Sequence, residues 1–224
     1  NQMPIYPYVQ ALFYHPGMTL DEMFVKGKKV NIWLSLLSLT FLFFVSRKFL
    51  PLGETISLIL ITAFGLYALK SGYFMAELLY YTLSFWAYCG MCLLLIKPSL
   101  KLSFATGILL GIGHLTKASI LPGFLLFVGL FGLKHLVAYF QAVKGNFSFE
   151  PLKVGLRNLF LVIFCFLIII SPYILESKRV YGSYFYNVNS TFYMWYDSYE
   201  EATNGTIAHG DGYGWPDMPD DEIP

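Results

Sequence analysis

Two short stretches of the chain set reactive side chains into otherwise apolar surroundings. The first is Lys70-Ser71-Gly72-Tyr73-Phe74-Met75-Ala76-Glu77, where a carboxylate opens an apolar run. Ionisable groups inside or bordering a membrane are expensive, so each needs a partner or a purpose. Glu77 is either an interfacial carboxylate, hydrated by headgroups or paired with Lys70, or a cavity-lining acid that binds a sugar hydroxyl or an amine. The second stretch is Gly111-Ile112-Gly113-His114-Leu115-Thr116-Lys117-Ala118-Ser119. A helix carrying Gly107, Gly111 and Gly113 there meets a lysine with almost no loop before the next apolar run. Glycines at this spacing let neighbouring helices approach closely. The hydroxyls, imidazole and ammonium at its end suit a phosphate, with Lys117 as a point charge, Thr116 and Ser119 as donors, and His114 as an optional second cation. A lysine at a helix end also snorkels to the interface with no ligand at all. A hairpin can be built without any lysine, which favours the phosphate contact. For His114, a satisfied buried histidine is the commoner case.

Other polar groups follow the last apolar run. Lys178 and Arg179 are headgroup anchors, the commoner case, or approach an anionic carrier. Trp195, Tyr196 and Asp197, then His209, Asp211, Tyr213, Trp215 and Asp217, combine aromatic faces with carboxylates. Sugars stack their C–H faces on aromatic rings and offer hydroxyls to acceptors, but an interfacial aromatic belt has the same composition. Asn189-Ser190-Thr191 and Asn204-Gly205-Thr206 match the glycosylation triplet, which is frequent by chance. Cys89 and Cys92 form a C-x-x-C with no second Cys or His pair, so a packed helix face is expected rather than a metal site. The chain contains no Walker loop, Rossmann fingerprint, zinc motif or nucleophile elbow.

The elements that must position these groups are membrane helices. Of 224 residues, 56% are apolar, 19% aromatic and 13% charged. Soluble domains carry roughly a quarter charged residues, so lipid is the solvent this composition fits. A net charge of +1 without a dense basic run argues against nucleic acid. A hydrocarbon core of ~30 Å asks for apolar runs of about twenty residues. Such runs occupy residues 30–45, 55–69, 78–96, 102–115, 120–139 and 156–173. The fold class expected is an all-α membrane protein of about six transmembrane helices with short loops, followed by an irregular soluble outer segment. Three regions result: an outer juxtamembrane segment (1–29), a transmembrane bundle (30–174) and the start of an outer soluble segment (175–224).

Placing the N-terminal segment outside puts Arg47, Lys48, Lys97, Lys101, Lys134, Lys144, Lys153 and Arg157 in the inner loops, against Lys70 and Lys117 in the outer ones. Lys26, Lys28, Lys29, Lys178 and Arg179 weigh against that orientation. Thr19-Leu20-Asp21-Glu22 fits a helix start, with Thr19 as N-cap and Glu22 three positions on. A short interfacial helix leading into the membrane and a simple connector are both compatible with residues 19–29. The chain begins at Asn1 and stops in a polar stretch, and is expected to be an internal piece of a longer one.

Several motifs in order carry a family resemblance. They are Gln2-Met3-Pro4-Ile5-Tyr6-Pro7-Tyr8 before the first run, Phe74-Met75-Ala76-Glu77-Leu78-Leu79-Tyr80, the Gly107 to Ser119 stretch, and Ser171-Pro172-Tyr173-Ile174 with Arg179-Val180-Tyr181-Gly182-Ser183. In these the chain resembles the middle of a polytopic glycosyltransferase of the GT-C type, close to the dolichyl-phosphate-mannose-protein mannosyltransferase and aminoarabinose transferase group. The resemblance implies transfer of a sugar from a polyprenyl-phosphate donor to a lipid or protein acceptor at the outer face of a membrane, as in a bacterial inner membrane with the C-terminal segment outside. It implies Lys117, Thr116, His114 and Arg179 at the donor phosphate, Glu77 as the cavity-lining acid, and Tyr6, Tyr8, Asp211 and Trp215 at the sugar or acceptor. The general base of such enzymes lies in a first outer loop, which would precede Asn1. No cofactor is implied beyond the lipid-linked donor itself, although some relatives use a divalent cation. The rival from another class is a multi-pass transporter or flippase for a lipid-linked or small polar substrate, with Glu77 and Lys117 as substrate or proton groups. A structural membrane subunit without a site is a third.

Overall fold

The computed structural model describes residues 3–73, 75–144, 150–182 and 184. All regular structure among them is helical: α1 (Ile5–Ala11), α2 (Leu20–Ser46), α3 (Leu52–Thr62), a π-helical turn (Ala63–Tyr67), α4 (Ala68–Ser71), α5 (Glu77–Ile96), α6 (Leu100–Thr116), a 3-10 turn (Ala118–Ile120), α7 (Leu121–Val143) and α8 (Glu150–Tyr181). Five helical segments are long and apolar enough to cross a membrane: Leu20–Ser46, Leu52–Ser71, Glu77–Ile96, Ala118–Val143 and Leu152–Val180. The apolar α6 is shorter, at 17 residues. The protein therefore has the all-α, multi-pass membrane fold that its composition leads one to expect.

Helix starts follow local chemistry. The Thr19 hydroxyl accepts from the Glu22 amide at 3.3 Å, and the Glu22 carboxylate accepts from the Thr19 amide at 3.0 Å. This capping box is the one the sequence presents. No separate interfacial helix follows it, because α2 runs unbroken from Leu20 to Ser46. Ser99 caps α6 by accepting from the Leu102 amide at 3.3 Å. The residues before Ser99 and Leu52 are prolines, which disfavour helix in the residue preceding them.

Two compact units divide the chain, Gln2–Ile169 and a second beginning at Ile170. Within the first, polar contacts set the register of the helices. Ser38 on α2 and Thr82 on α5 share a hydrogen bond of 2.6 Å. Asn31 on α2 donates to the Tyr73 carbonyl at 2.7 Å, and Phe41 meets Phe85 and Trp86 edge-on. Pairing 31 with 73, 38 with 82 and 41 with 85 makes α2 and α5 parallel neighbours. On the other side of α5, Gly90 lies against Thr106 and Leu83 against Gly113, so α5 and α6 run antiparallel. Ser103 on α6 donates to the Asn158 side chain on α8 at 2.8 Å. In the same seam a Cβ on Gly107 would fall 2.7 Å from the Val162 carbonyl oxygen, and one on Gly111 would fall 2.6 Å from Ile169 Cβ. The two glycines, four apart, form the surface on which α8 lies, as close helix contact in lipid requires.

Within the second unit, helix occupies residues 175–181, the start of the segment expected to be irregular. α8 passes through Pro172 and continues to Tyr181. Glu176 and Arg179, three apart, pair at 2.5 Å along this last stretch. Gly182 then ends the helix at φ +71°, with its amide donating to the Lys178 carbonyl at 3.1 Å. The change in composition at residue 175 does not end the helix, which stops where a left-handed residue becomes available.

Gly111→Leu is expected to force α8 away from α6 and destabilise the bundle by about 1–3 kcal/mol, the usual cost of overpacking. Gly129→Leu, where a new Cβ meets nothing within 4 Å, is expected to leave stability unchanged. Thermal unfolding of the two variants in detergent checks the contrast.

Candidate functional site

The antiparallel pairing of α5 and α6 brings the first residue of one against the residue capping the other. Lys117 follows α6 in an extended conformation (φ −159°, ψ 125°), held by its amide donating to the Gly113 carbonyl at 2.9 Å. Its ammonium lies 3.6 Å from the Glu77 carboxylate, with the lysine side chain 46% exposed and the glutamate 23%. The same ammonium stands 6.0 Å from the centre of the Tyr80 ring, at the outer limit of a cation–π contact. Glu77 and Lys117, forty residues apart in sequence, thus share one end of the bundle. The partner of Glu77 is Lys117, not Lys70.

α1 supplies a buried second layer. Tyr6 and Gln10, one helical turn apart, turn inward and are each 5% exposed. The Tyr6 phenol lies against the side-chain amides of Asn31 and Gln10 and within the field of Glu77. Burial pushes its pKa up; the two amides offset this in part, and the nearby carboxylate adds to the rise. Tyr6 therefore keeps its proton across the physiological range. The Asn31 amide nitrogen is engaged with the Tyr73 carbonyl, while its Oδ1 finds no partner among the described residues.

The expected phosphate set is only partly assembled. Lys117 is in place. Thr116 is buried and spends its hydroxyl on the Ile112 carbonyl at 2.8 Å. His114 is 3% exposed and meets Phe166 edge-on at 5.7 Å, with its Nδ1 unpartnered. Neither side chain presents itself beside the ammonium, because the last turn of α6, residues 113–116, is buried all round while position 117 lies beyond its end. Ser119 is exposed in the turn that follows. Arg179 belongs to the second unit, where Glu176 takes up its guanidinium. Of the expected sugar or acceptor contacts, Tyr6 joins the cluster, whereas Tyr8, two positions on and 71% exposed, points away from the core. Asp211 and Trp215, the other aromatic and acidic residues after 184, and both glycosylation triplets lie outside the described residues.

Three contributors escape a reading of spacing alone: Gln10, Asn31 and Tyr80. Asn31 carried a signal, since an amide within the first turns of an apolar run needs the same accounting as a charge. Gln10 could be linked to Tyr6 only by knowing that residues 5–11 are helical. Among the described residues no group of three or more His, Cys, Asp and Glu converges as a metal site would. What remains is an ammonium paired with one carboxylate and half-exposed, beside a phenol and two amides.

Reversing one charge, by Glu77→Lys or Lys117→Glu, is expected to destabilise by about 1 kcal/mol or less, because the pair is half-exposed. The double swap should recover most of that loss, and chemical denaturation of the four proteins measures the coupling.

The chain matches no protein-family model, no curated protein and no solved structure.

Proposed function

We propose that this protein is a membrane glycosyltransferase of the GT-C type, which moves a sugar from a polyprenyl-phosphate donor to a lipid or protein acceptor. The observation that carries the reading is the Glu77–Lys117 pair at one end of an apolar bundle, with Tyr80 and Tyr6 beside it. A donor with a lipid tail must react where its headgroup meets the interface, and the costly polar groups are gathered at such a place. In the transfer, the oxygen of an acceptor hydroxyl bonds to C1 of the sugar as its proton passes to a general base, the bond from C1 to the phosphate oxygen breaks, and polyprenyl phosphate leaves with added negative charge. Lys117 stabilises that charge as it develops. Glu77 holds the ammonium in position and accepts hydrogen bonds from sugar hydroxyls. The basic residues Arg47, Lys48, Lys97 and Lys101 lie at the opposite end, which supports an extracytoplasmic site. A plasma membrane, such as the bacterial inner membrane, is the setting this orientation suits.

A lipid-linked donor also needs a path for its tail. α2, α5 and α6 frame an apolar groove of about 490 Å³, lined by residues that include Leu37, Phe41, Trp86 and Leu102. Along α5, Trp86 is nine residues from Glu77, about 14 Å at 1.5 Å per residue. A long isoprenoid covers that distance readily.

A transporter or flippase is the second reading, and the π-helical turn at Ala63–Tyr67 favours it. Such turns recur at functional sites, and irregular helices accompany moving transport pathways. Lys117→Met in the full-length protein is expected to lower transfer from a radiolabelled polyprenyl-phosphate sugar by about a hundredfold or more, with expression unchanged. Undiminished transfer would remove the phosphate role; sugar movement across vesicles without transfer would point to transport.

A further inference from the structure

We infer that the end of the bundle opposite Glu77 and Lys117 holds an anionic phospholipid, its phosphate among Lys48, Lys97 and Lys101 and one acyl chain in the groove between α2, α5 and α6. All three helices begin or end there. α2 stops at Ser46, just before Arg47 and Lys48; α5 stops at Ile96, before Lys97; α6 starts at Leu100, with Lys101 in its first turn. The three lysines are exposed, and among the described residues none of their ammonium groups makes a salt bridge or a side-chain hydrogen bond. Further cations at this end are already engaged. Arg47 donates to the Leu50 carbonyl at 2.6 Å, Lys134 donates to the Leu95 carbonyl, and Lys153 pairs with Glu150 at 3.2 Å. Among the described residues Glu54 is the one carboxylate left to oppose the free lysines.

The groove opens beneath that charge. Its lining includes Phe44, two residues from the end of α2, Leu93, three from the end of α5, and Leu102, the third residue of α6. From Leu93 it runs along α5 to Trp86, seven residues away, a depth of about 10 Å at 1.5 Å per residue. Half of a ~30 Å hydrocarbon layer is deeper than that, so the groove lies within the leaflet nearer the lysines. A chain therefore enters it from a headgroup held at their surface. A phosphodiester that carries no amine of its own neutralises the free ammoniums, and each cation near the surface adds to the attraction. Cations at a bundle end also orient a chain in the membrane with no ligand bound. That role requires no groove beneath them. An acyl chain and a donor tail exclude one another from this space, but the transferase reading rests on Lys117 and the inference on the opposite end, so each can fail alone.

Trp86 lines the groove, so quenching of tryptophan fluorescence by lipids with dibrominated acyl chains reads headgroup and chain together. The protein is placed in phosphatidylcholine nanodiscs doped with dibrominated phosphatidylglycerol or dibrominated phosphatidylcholine. The part of the quenching that Trp86→Phe removes is the groove signal. The anionic lipid is expected to reach half of that signal at roughly tenfold lower mole fraction than the zwitterionic one. Lys97→Gln combined with Lys101→Gln should abolish the preference. Lys28→Gln combined with Lys29→Gln, which removes the same charge near the start of α2, should preserve it. Equal quenching by the two lipids in wild type overturns the inference, and is the result if the lysines only orient the chain. A preference that survives the first pair of substitutions, or falls equally with the second, overturns it as well. So does phosphatidylglycerol retained in native mass spectra without quenching of Trp86, or displaced by inorganic phosphate alone, since either outcome leaves the groove without the chain.

Discussion

Every polar group carried into a bilayer has to be answered within the protein, because no water is there to answer it. That constraint organises this bundle. Apolar side chains gain little by leaving lipid for one another, so they cannot by themselves choose which helix lies beside which. The choice falls to a few contacts: Ser38 with Thr82, Ser103 with Asn158, Asn31 with the Tyr73 carbonyl, and the Gly107–Gly111 face under α8. Each fixes a register to within a fraction of a turn. The meeting of Glu77 and Lys117 is a result of the register between α5 and α6, which the close contact of Gly90 with Thr106 sets further along the same seam.

A similar accommodation occurs at the other end of the bundle. His135 stacks on Phe131 at 4.4 Å, and its Nδ1 lies 2.7 Å from the Phe131 carbonyl oxygen. Its Nε2 occupies the space a side chain on Gly155 would need, 1.6 Å from an ideal Cβ. Gly155 thus lets a buried imidazole close the contact between α7 and α8. Gly90, Gly107, Gly111 and Gly155 serve the seams, whereas Gly129 and Gly132 on α7 face open space.

The membrane class and the approximate spans were legible because both depend on composition summed over about twenty residues. The capping box at Thr19 and the glycine face of α6 were legible because each is a local pattern with a fixed physical meaning. What spacing could not decide was direction. Thr116 and Lys117 are adjacent, yet one turns into the bundle and the other leaves the helix, so their hydroxyl and ammonium do not act together. Tyr6 and Tyr8 differ in the same way on α1. The π-helical turn at Ala63–Tyr67 had no signature, and the extension of α8 past residue 175 was hidden by a shift toward polar residues. Pairings such as Asn31 with Tyr6 depend on three elements packing together, which no single stretch encodes.

The brevity of α6 has a consequence for the membrane around it. Its 17 residues rise about 26 Å, less than the ~30 Å of an average hydrocarbon layer. The α6 that ends at Lys117 therefore meets a bilayer too thick for it. Lipids next to this wall must thin, or the ammonium must sit slightly below the plane of the surrounding headgroups. Bilayer thickness thus becomes a variable to which the depth of this rim is coupled, through hydrophobic mismatch.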